Sequence, residues 1–465
     1  MKDFNKILSR KDQSIRDVMN IINDSGEVKG SVIVDDDNRL LGVVTDGDIR
    51  RAILNKVDLE TKIEKIMIKN PYVAKRDVSK REVFNVMKMK VLDFIPILDD
   101  SRKVVNVYTI QDLSKFENNI VELNELEDRE VKSVLIIGGA GYTGSVLVRA
   151  LLTEGYKVTV FDNLQFGDNS IRELKNNPNF KFIKGDIRDI QSLLEHIKDF
   201  DAVIHLAAIV GDAACNIDPE NSETINLMST RVIAEICKFR KIPRFIFAST
   251  CSVYGASDEL LNEESEVNPL SIYAETKLKS EQAIQTLADK NFSPCIFRIA
   301  TVFGPSPRMR FDLVVNLLTA KACKEKKITI FSGEQWRPNI HVEDLARAYI
   351  QCLKTPRYKI HNQIFNVGGN DSNYKIIDIG RIIKKLIPDA ELIIYDDEFD
   401  KRDYKVDFTK IKNILGFEPQ KKIEDGVQKI QAMFEQNADL DFTKKIYYNS
   451  KSYEIGTLKG LYFEA

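Results

Sequence analysis

The sequence has few cysteines, no long apolar run and almost no net charge, and each of these absences excludes a class of protein. The six cysteines, at positions 215, 237, 251, 295, 323 and 352, lack the spacing of a disulfide framework or a zinc site. No run of 18 apolar residues could span a bilayer, and residues 1–12 lack the apolar middle of a signal peptide. The net charge of −2 provides no global field for nucleic acid or an anionic membrane. The sequence therefore predicts a cytoplasmic protein with reduced thiols, no metal, and no nucleic acid or membrane partner.

The chain is long enough for more than one domain. Its 465 residues, at roughly 150 residues per domain, favour two or three domains. Hydrophobic residues make up 43% of the chain, which is enough to bury a sizeable core. The pattern changes after a segment with six acidic residues and one arginine. We expect a duplicated domain at 1–116, a linker at 117–131, an α/β domain at 132–435 and a tail at 436–465.

Residues 1–116 contain an internal repeat. RLLGVVTDGDIRRAIL at 39–54 is echoed by KVVNVYTIQDLSKF at 103–116, and each is an apolar strand that ends in Thr-x-x-Asp and leads into a helix. Thr45 and Asp48 thus correspond to Thr109 and Asp112. A hydroxyl and a carboxylate at a helix start can bind ribose hydroxyls while nearby amides face a phosphate. The same pair can instead cap the helix without any ligand.

This repeat resembles a tandem pair of CBS domains, especially the pair found beside sugar nucleotidyltransferases. The resemblance implies that the two Thr and Asp pairs hold the ribose and phosphate of an adenine nucleotide in a regulatory site. The second copy departs from the family pattern, because Asn106 stands where the family has glycine. Nucleotide binding and a purely structural pair both remain open.

A glycine-rich loop follows a buried strand near the start of the second domain. Gly138, Gly141 and Gly144 form G-x-x-G-x-x-G directly after VLII and before a helix. These glycines allow a tight turn, close approach of the backbone to a pyrophosphate and close packing of helix on strand. Asp162 ends the next strand, where it can accept from both ribose hydroxyls of NAD and repel the 2′-phosphate of NADP. Asp186 ends a further short strand, where its carboxylate can meet the adenine amino group or can be a plain turn residue.

Three further residues predict base catalysis. Tyr273 and Lys277 are four residues apart and share one helix face. A lysine one turn away can hydrogen-bond the cofactor ribose and favour the tyrosinate, so that the phenol acts as a base near neutral pH. Thr250, at the end of the preceding strand, can bond the same substrate hydroxyl. Together they indicate oxidation of a hydroxyl by a bound dinucleotide.

A series of motifs runs through residues 132–435: GGAGYTG, GDIRD, HLAA, STCSVYG, YAETK, RIATVFGP, WRPNIHVEDLA and KRDYKVDFTKIKNILGF. In sequence and order they resemble an extended short-chain dehydrogenase/reductase of the nucleotide-sugar epimerase/dehydratase family. The resemblance implies an α/β fold, a Rossmann-type doubly wound parallel sheet with a smaller C-terminal substrate-binding subdomain. The cofactor contacts it implies are Gly138, Gly141, Tyr142, Thr143, Gly144, Asp162, Asp186, Ile187, Leu206, Ala207, Ala208 and Lys277. It also implies that Arg337 and Arg402 clamp the diphosphate of a nucleotide sugar.

Other residues of the substrate site are less clearly assigned. Asn226 corresponds to a family asparagine near the catalytic tyrosine and cofactor, although a buried structural amide fits the sequence as well. Thr301 replaces the asparagine that the family often has in the strand before Gly-Pro, which leaves the sugar contact at this position open.

Departures from the family pattern narrow the reaction. The family's 4,6-dehydratases follow the catalytic threonine with Asp-Glu, whereas this chain has Cys251-Ser252, which cannot readily protonate a leaving hydroxyl. Members that epimerise C3 and C5 place a cysteine two residues before the motif's tyrosine. Cys251 lies three before Tyr254, on the opposite face if the segment is extended. We therefore expect Cys251 to be a small core thiol.

These patterns predict an NAD-dependent nucleotide-sugar epimerase of surface polysaccharide or sugar-nucleotide biosynthesis, acting at C4 through a transient keto-sugar. Tyr273 is the expected base, Thr250 assists it and Lys277 orients the cofactor. An NAD(P)H-dependent 4-keto-sugar reductase needs the same residues, and Asp162 favours the epimerase only because it favours NAD. A third interpretation is a CBS sensor with an inactive Rossmann domain. The presence of Thr250, Tyr273 and Lys277 argues against it. We expect a homodimer, and the tail packs either on its own domain or on a second subunit.

Overall fold

The computed structural model describes residues 4–25, 28–78, 80–90, 92–109, 112, 129–395 and 402–450. The chain divides into two compact units, Met1–Asn124 and Glu125–Ala465. The division falls within the acidic segment predicted as a linker, of which residues 117–128 lie outside the described part of the chain. Residues 451–465 of the predicted tail also lie outside it.

The first unit contains the same arrangement of strands twice. One sheet is formed by β1 Leu8–Arg10, β2 Gly30–Val34 and β3 Leu40–Thr45, the other by β4 Ala74–Lys75, β5 Phe94–Leu98 and β6 Val104–Thr109, and the helices are α1 Ile15–Ser25, α2 Asp46–Leu54 and α3 Lys80–Lys90. In each sheet the central strand pairs in parallel with the first strand and antiparallel with the third. The antiparallel register shifts at Ile33/Val34 in one sheet and at Ile97/Leu98 in the other. The sequence repeat is therefore a structural repeat.

The two repeats share a hydrophobic core. Val32 and Val43 from the first repeat lie in the same buried cluster as Phe94 and Val107 from the second. Apolar surface removed from water is the main favourable term in folding, so the shared cluster stabilises the two repeats as one unit.

A seven-stranded parallel sheet forms the centre of the second unit. Its strands are β7 Ser133–Ile137, β8 Lys157–Asp162, β9 Phe180–Lys184, β10 Ala202–His205, β11 Arg244–Thr250, β13 Ser293–Ile299 and β17 Gln363–Val367. They lie in the order β17-β13-β11-β10-β7-β8-β9. The chain runs outward from β7 to β9 and then returns to the other side of β7 as β10. Parallel sheets of this kind bind ligands at the carboxyl ends of the strands, where the order reverses.

Helices and apolar side chains cover both faces of this sheet. The helices of the unit are α4 Tyr142–Thr153, α5 Ile190–His196, α6 Asp212–Cys215, α7 Pro219–Glu223, α8 Ser229–Phe239, α9 Ile272–Gln285, α10 Val314–Glu325, α11 Val342–Lys354, α12 Arg357–Ile360, α13 Ile376–Leu386, α14 Thr409–Leu415 and α15 Ile423–Gln436. Val134 and Ile136 of β7 lie in one core, and Leu135 and Ile137 lie in the other. Burial on both faces explains why β7 is a continuous apolar run.

Short strands late in the chain form the smaller subdomain. They are β12 Leu260–Leu261, β14 Thr301–Phe303, β15 Lys327–Phe331, β16 Trp336–His341, β18 Asn373–Lys375, β19 Glu391–Tyr395 and β20 Lys405–Val406. The predicted α/β class with a doubly wound parallel sheet and a smaller subdomain is confirmed. None of the helices in the described ranges is both long and apolar enough to cross a membrane.

Candidate active site

A large cavity opens at the carboxyl ends of the parallel strands. Its volume is about 1910 Å³, against roughly 300–1,000 Å³ for the site of one drug-sized ligand, so it has room for two large ligands. The predicted site residues that line it are Gly138, Gly141, Tyr142, Thr143, Gly144, Asp162, Asp186, Ile187, Leu206, Ala207, Ala208, Thr250, Tyr273, Lys277, Thr301, Arg337 and Arg402. The fold thus brings together residues that are more than 250 positions apart in the chain.

The glycine loop fits a pyrophosphate. Gly138 has a φ of 88°, which a residue with a side chain rarely adopts. A Cβ on Gly144 would lie 2.5 Å from the carbonyl oxygen of Gly138, so only glycine allows this approach of helix and loop. α4 begins at Tyr142, and the first amides of a helix have no acceptor within it and attract anions.

The carboxylate of Asp162 is held in place beside this loop. One oxygen accepts from the amide of Ala140 at 2.9 Å, and the other accepts from the amide of Leu164 at 2.8 Å. Burial raises the pKa of Asp162, and the two amide hydrogen bonds oppose that shift. A fixed acceptor at the end of β8 suits the two ribose hydroxyls of NAD. The loop and this carboxylate therefore fit the predicted cofactor.

Asp186 has partners of its own at the edge of the cavity. Arg188 forms an ion pair with it at 2.7 Å. Burial would raise the pKa of Asp186, but the bonds from Arg188 outweigh it and the pKa is lowered. The carboxylate is therefore ionised, which an acceptor for an adenine amino group requires.

Tyr273 lies in the first turn of α9, next to the end of β11. Ser271 caps this helix by accepting from the amide of Ala274 at 3.2 Å. Thr250, the last residue of β11, lines the same cavity, and its hydroxyl donates to Ser252 Oγ at 3.2 Å. Burial raises the pKa of the Tyr273 phenol above its ordinary value, and the charge of Arg310 opposes the shift.

Lys277 lies one turn further along the same helix. Its Nζ donates to the carbonyl oxygen of Ala248 at 2.8 Å and lies 4.7 Å from the centre of the Phe247 ring. Burial lowers the pKa of its ammonium to about 8. The sequence pattern predicted that Lys277 favours the tyrosinate. That role of Lys277 stays a prediction, and the charge of Arg310 is one influence that lowers the pKa of Tyr273.

The sequence left two roles open for Asn226, one near the catalytic tyrosine and cofactor and one structural. Asn226 is not among the described residues that line the cavity. Asn226 is fully buried, accepts from the amide of Ile209 at 2.8 Å and donates to the carbonyl oxygen of Ile209 at 3.0 Å. A side-chain amide that satisfies both polar groups of one backbone residue holds the loop after β10 in shape. The structural alternative for Asn226 therefore fits the geometry.

The two predicted phosphate-binding arginines lie on the cavity wall. Arg337 donates to the carbonyl oxygen of Trp336 at 2.7 Å, and its guanidinium lies over the Tyr404 ring. Arg402 pairs with Asp212 at 2.9 Å. A guanidinium can exchange such a partner for phosphate oxygens.

Several cavity residues escaped the sequence analysis as binding candidates. They are Ser252, Asp212, Arg308, Arg310 and Asn449. Asp212, Arg308 and Asn449 have partners in distant parts of the chain, so no spacing singles them out. Cys251 behaves as expected: it is buried, and its thiol donates to the carbonyl oxygen of Arg298 at 3.2 Å. It does so from a 3₁₀ turn, Cys251–Tyr254, rather than from an extended strand.

In the first unit the duplicated Thr and Asp make matching hydrogen bonds. The Thr45 hydroxyl donates to Asp48 at 2.6 Å and accepts from the Asp48 amide at 3.2 Å, which caps α2. Thr109 and Asp112 make the same two bonds at 2.8 and 3.3 Å. The capping alternative is thus present in the first repeat, and the nucleotide site stays a prediction.

Comparison with sequence families decides the class of the second unit. The sequence model of the NAD dependent epimerase/dehydratase family matches residues 134–368, and that of the CBS domain matches 10–55 and 63–119. The chain belongs to the NAD-dependent epimerase/dehydratase family. It carries two CBS domains before the family domain, and its cofactor is NAD, as the sequence predicted.

Individual relatives are similar over the second unit. The chain is 32% identical to a UDP-glucuronate 4-epimerase of Thermodesulfobacterium geofontis over 320 residues, which are 66% of this chain and 97% of the relative. The solved UDP-glucuronic acid 4-epimerase of Bacillus cereus, bound to UDP-glucuronic acid and NAD, is 29% identical, with a TM-score of 0.58 over 65% of this chain and 99% of that one. The UDP-glucose 4-epimerase of Thermotoga maritima with UDP-glucose is 26% identical, with a TM-score of 0.59 over 66% of this chain and 100% of that one.

Proposed function

We propose that this enzyme interconverts a UDP-hexuronate and its C4 epimer, with UDP-glucuronate as the substrate class. The observation that carries the proposal is the wall of the cavity around Tyr273. Hydroxyls of Thr250, Ser252 and Thr301 line it together with the guanidinium of Arg310. Hydroxyl donors and a guanidinium suit a carboxylate at C6 better than a neutral hydroxymethyl group. The 4-epimerases of UDP-glucuronate among the relatives support the same substrate.

The residues have separate tasks in this reaction. Tyr273 takes the proton of the C4 hydroxyl, and Thr250, which lines the same cavity, holds that hydroxyl. Lys277 holds the cofactor ribose from the carbonyl of Ala248, where its Nζ lies. NAD held by these residues would supply the acceptor and the donor of the C4 hydride.

Inversion requires that the keto-sugar presents its other face before the hydride returns. Arg337 and Arg402 keep the diphosphate in the cavity during that rotation, since guanidinium groups pair with phosphate oxygens. The cavity is wide enough for the sugar to turn while the diphosphate stays bound. Dehydration is disfavoured because Cys251-Ser252 replaces the acid pair that protonates a leaving hydroxyl.

The test incubates the purified protein with UDP-glucuronate or UDP-glucose without added dinucleotide and follows the anomeric signals by proton NMR. The proposal predicts UDP-galacturonate from the first substrate and at least tenfold slower turnover of the second. Faster epimerisation of UDP-glucose would contradict the uronate assignment. A product without the carboxyl carbon, or turnover only with added NADH, would contradict the epimerase itself.

The cellular location and the use of the reaction are part of the same proposal. The six cysteines are all free thiols, which suits a cytoplasmic enzyme. Epimerised nucleotide sugars are glycosyl donors, so a role in surface polysaccharide or sugar-nucleotide biosynthesis is the proposed use. A homodimer, adenine nucleotide at the CBS pair and regulation through it complete the proposal.

A further inference from the structure

The segment 437–450, which follows the last helix, packs beside the active site of its own unit. Phe442 is 5% exposed and its ring centre lies 5.8 Å from that of Phe311. The Tyr447 ring lies 5.4 Å from Phe311 on another side, and the Tyr447 carbonyl oxygen accepts from the Phe311 amide at 3.0 Å. Phe311 lies between Arg310 and Asp312, which line the cavity. Its contacts with Phe442 and Tyr447 therefore hold segment 437–450 against this part of the cavity wall.

Asn449 of this segment is a buried part of the cavity wall. It is 5% exposed and lines the cavity. Its side chain accepts from Arg308 at 2.8 Å and donates to the carbonyl oxygen of Val210 at 3.1 Å. Its backbone amide donates to Asp312 Oδ2 at 3.1 Å. The two side-chain bonds therefore hold the backbone where its amide can reach Asp312.

Asp312 connects Asn449 to the proposed catalytic base. Both of its oxygens bind the Arg310 guanidinium, at 2.9 and 3.1 Å, in the two-bond geometry that orients an arginine most strongly. The Arg310 side chain is 12% exposed and lines the same cavity as Tyr273, and its charge lowers the pKa of the Tyr273 phenol. Contacts thus run from Asn449 to Asp312 and from Asp312 to Arg310 on the wall that also holds Tyr273.

We propose that Asn449 is a positioning residue of the active site, which holds Asp312 and thereby fixes Arg310 against Tyr273 and the sugar. The inference rests on the proposed function for the sugar's identity only. Segment 437–450 then supplies part of the substrate-binding wall and is required for turnover.

Loss of this arrangement has a pH signature. The groups that face Tyr273 are Cys215 and Asp212 from α6, Arg310, Thr250 from β11, Tyr349 from α11 and Lys277 on its own helix. Burial raises the pKa of Tyr273, Cys215 and Asp212 raise it further, and Arg310 and Thr250 lower it. If Arg310 is displaced, its charge lowers the pKa of Tyr273 by less, and that pKa therefore rises. Activity that needs the tyrosinate then requires a higher pH.

The experiment compares Asn449→Ala with Asn437→Ala in the full-length protein. Asn437 is an exposed residue of the same segment, and its amide bonds only its own helix at Met433 among the described contacts. Asn449→Ala should lower kcat about 5- to 30-fold, the scale of one or two lost polar contacts, with a smaller change in KM. The acidic limb of its pH profile should move to higher pH. Asn437→Ala should match the wild type in both.

Asp312→Asn provides a second, independent variant. It keeps the side-chain shape but loses the charge that orients Arg310, so it should shift the pH profile in the same direction. The double variant with Asn449→Ala should lose less than the product of the single losses, because both act through Arg310. Thermal unfolding and bound NAD content identify a variant that has merely misfolded, and such a variant is replaced by Asn449→Ser.

The test of Asn449 can succeed or fail independently of the test of the proposed substrate. All variants are assayed on whichever UDP-sugar the wild type epimerises, so a wild type that prefers UDP-glucose overturns the uronate assignment and leaves this test intact. A folded Asn449→Ala enzyme with the kcat and pH profile of Asn437→Ala would overturn the positioning role. A change confined to KM would also overturn it.

Discussion

At the scale of single residues, the phenol of Tyr273 is the proposed base. Tyr273 is half-buried and lines the cavity with Thr250 and Arg310, and burial raises the pKa of its phenol. Replacement by Phe removes the base and leaves the ring, so kcat should fall by about 10²-fold or more with little change in Tm. Tyr358→Phe is the control, since Tyr358 lies on α12, half exposed and outside the cavity lining. Wild-type turnover by Tyr273→Phe on the true substrate would exclude Tyr273 as the base.

Asp162 is the residue predicted to select NAD over NADP. Asp162 holds a carboxylate at the end of β8, and a 2′-phosphate placed beside it costs several-fold to about a hundredfold in affinity. Asp162→Asn should narrow that gap between NAD and NADP, as measured by calorimetric titration of protein freed of its dinucleotide. Asp168→Asn, which loses a nearby carboxylate paired with Arg172 and Lys175, should leave the gap unchanged. Equal binding of both dinucleotides by the wild type would contradict the role of Asp162.

At the scale of elements, α9 must keep its register against the sheet for Tyr273 and Thr250 to meet. Glu281, two turns after Tyr273, is 1% exposed and pairs with Arg298 of β13 at 2.8 Å, and the Ser249 hydroxyl of β11 donates to it. Arg298 in turn donates to the Tyr254 hydroxyl at 3.0 Å. The helix is therefore joined to both strands that carry the site.

Breaking this buried pair should be costly. Glu281→Ala leaves the Arg298 guanidinium buried without its carboxylate, and we expect a loss of about 3–5 kcal/mol in the free energy of unfolding by urea. Glu275→Ala removes an exposed pair with Lys279 on the same helix and should change stability little. Similar stability of the two variants would show that the buried pair does not hold α9 in place.

Elements defined by local spacing could be predicted from the sequence, and those defined by distant contacts could not. The loop around Gly138, the strand end at Asp162 and the helix face of Tyr273 each depend on residues within one turn or one βα unit. Arg310 acquires its role from α9 and from Asp312, and Asn449 reaches Asp312 across 137 positions. Nothing in the local pattern distinguishes these residues from surface polar groups. The sequence likewise does not show which way the amide of Asn226 faces, because its bonds are to Ile209 in the loop after β10.

At the scale of the whole molecule, the question is whether the CBS pair regulates the enzyme. A ligand can alter activity only if it binds one state of the protein better than another, and such couplings are typically about 1–3 kcal/mol. The capping bonds of Asp48 and Asp112 satisfy these carboxylates without a ligand, so binding has to be measured directly.

The prediction is that AMP, ADP or ATP binds the full-length protein and changes its rate of epimerisation. Asp48→Ala combined with Asp112→Ala should abolish both effects and keep the basal rate, at a cost of about 0.5–2 kcal/mol per lost helix cap. Asp46→Ala, an exposed carboxylate in the same turn paired with Arg50, should retain the nucleotide response. No nucleotide uptake and identical rates in all variants would leave the pair as a structural scaffold.

In the proposed reaction, one bound NAD would accept the hydride from C4 of a UDP-hexuronate and return it to the opposite face of the same carbon. UDP-glucuronate labelled with deuterium at C4 tests it most directly, incubated with the protein in ordinary water with unlabelled free NADH present. The account predicts UDP-galacturonate that keeps the deuterium at C4. Loss of the label to water or to the free dinucleotide pool, or inversion at a carbon other than C4, would contradict it.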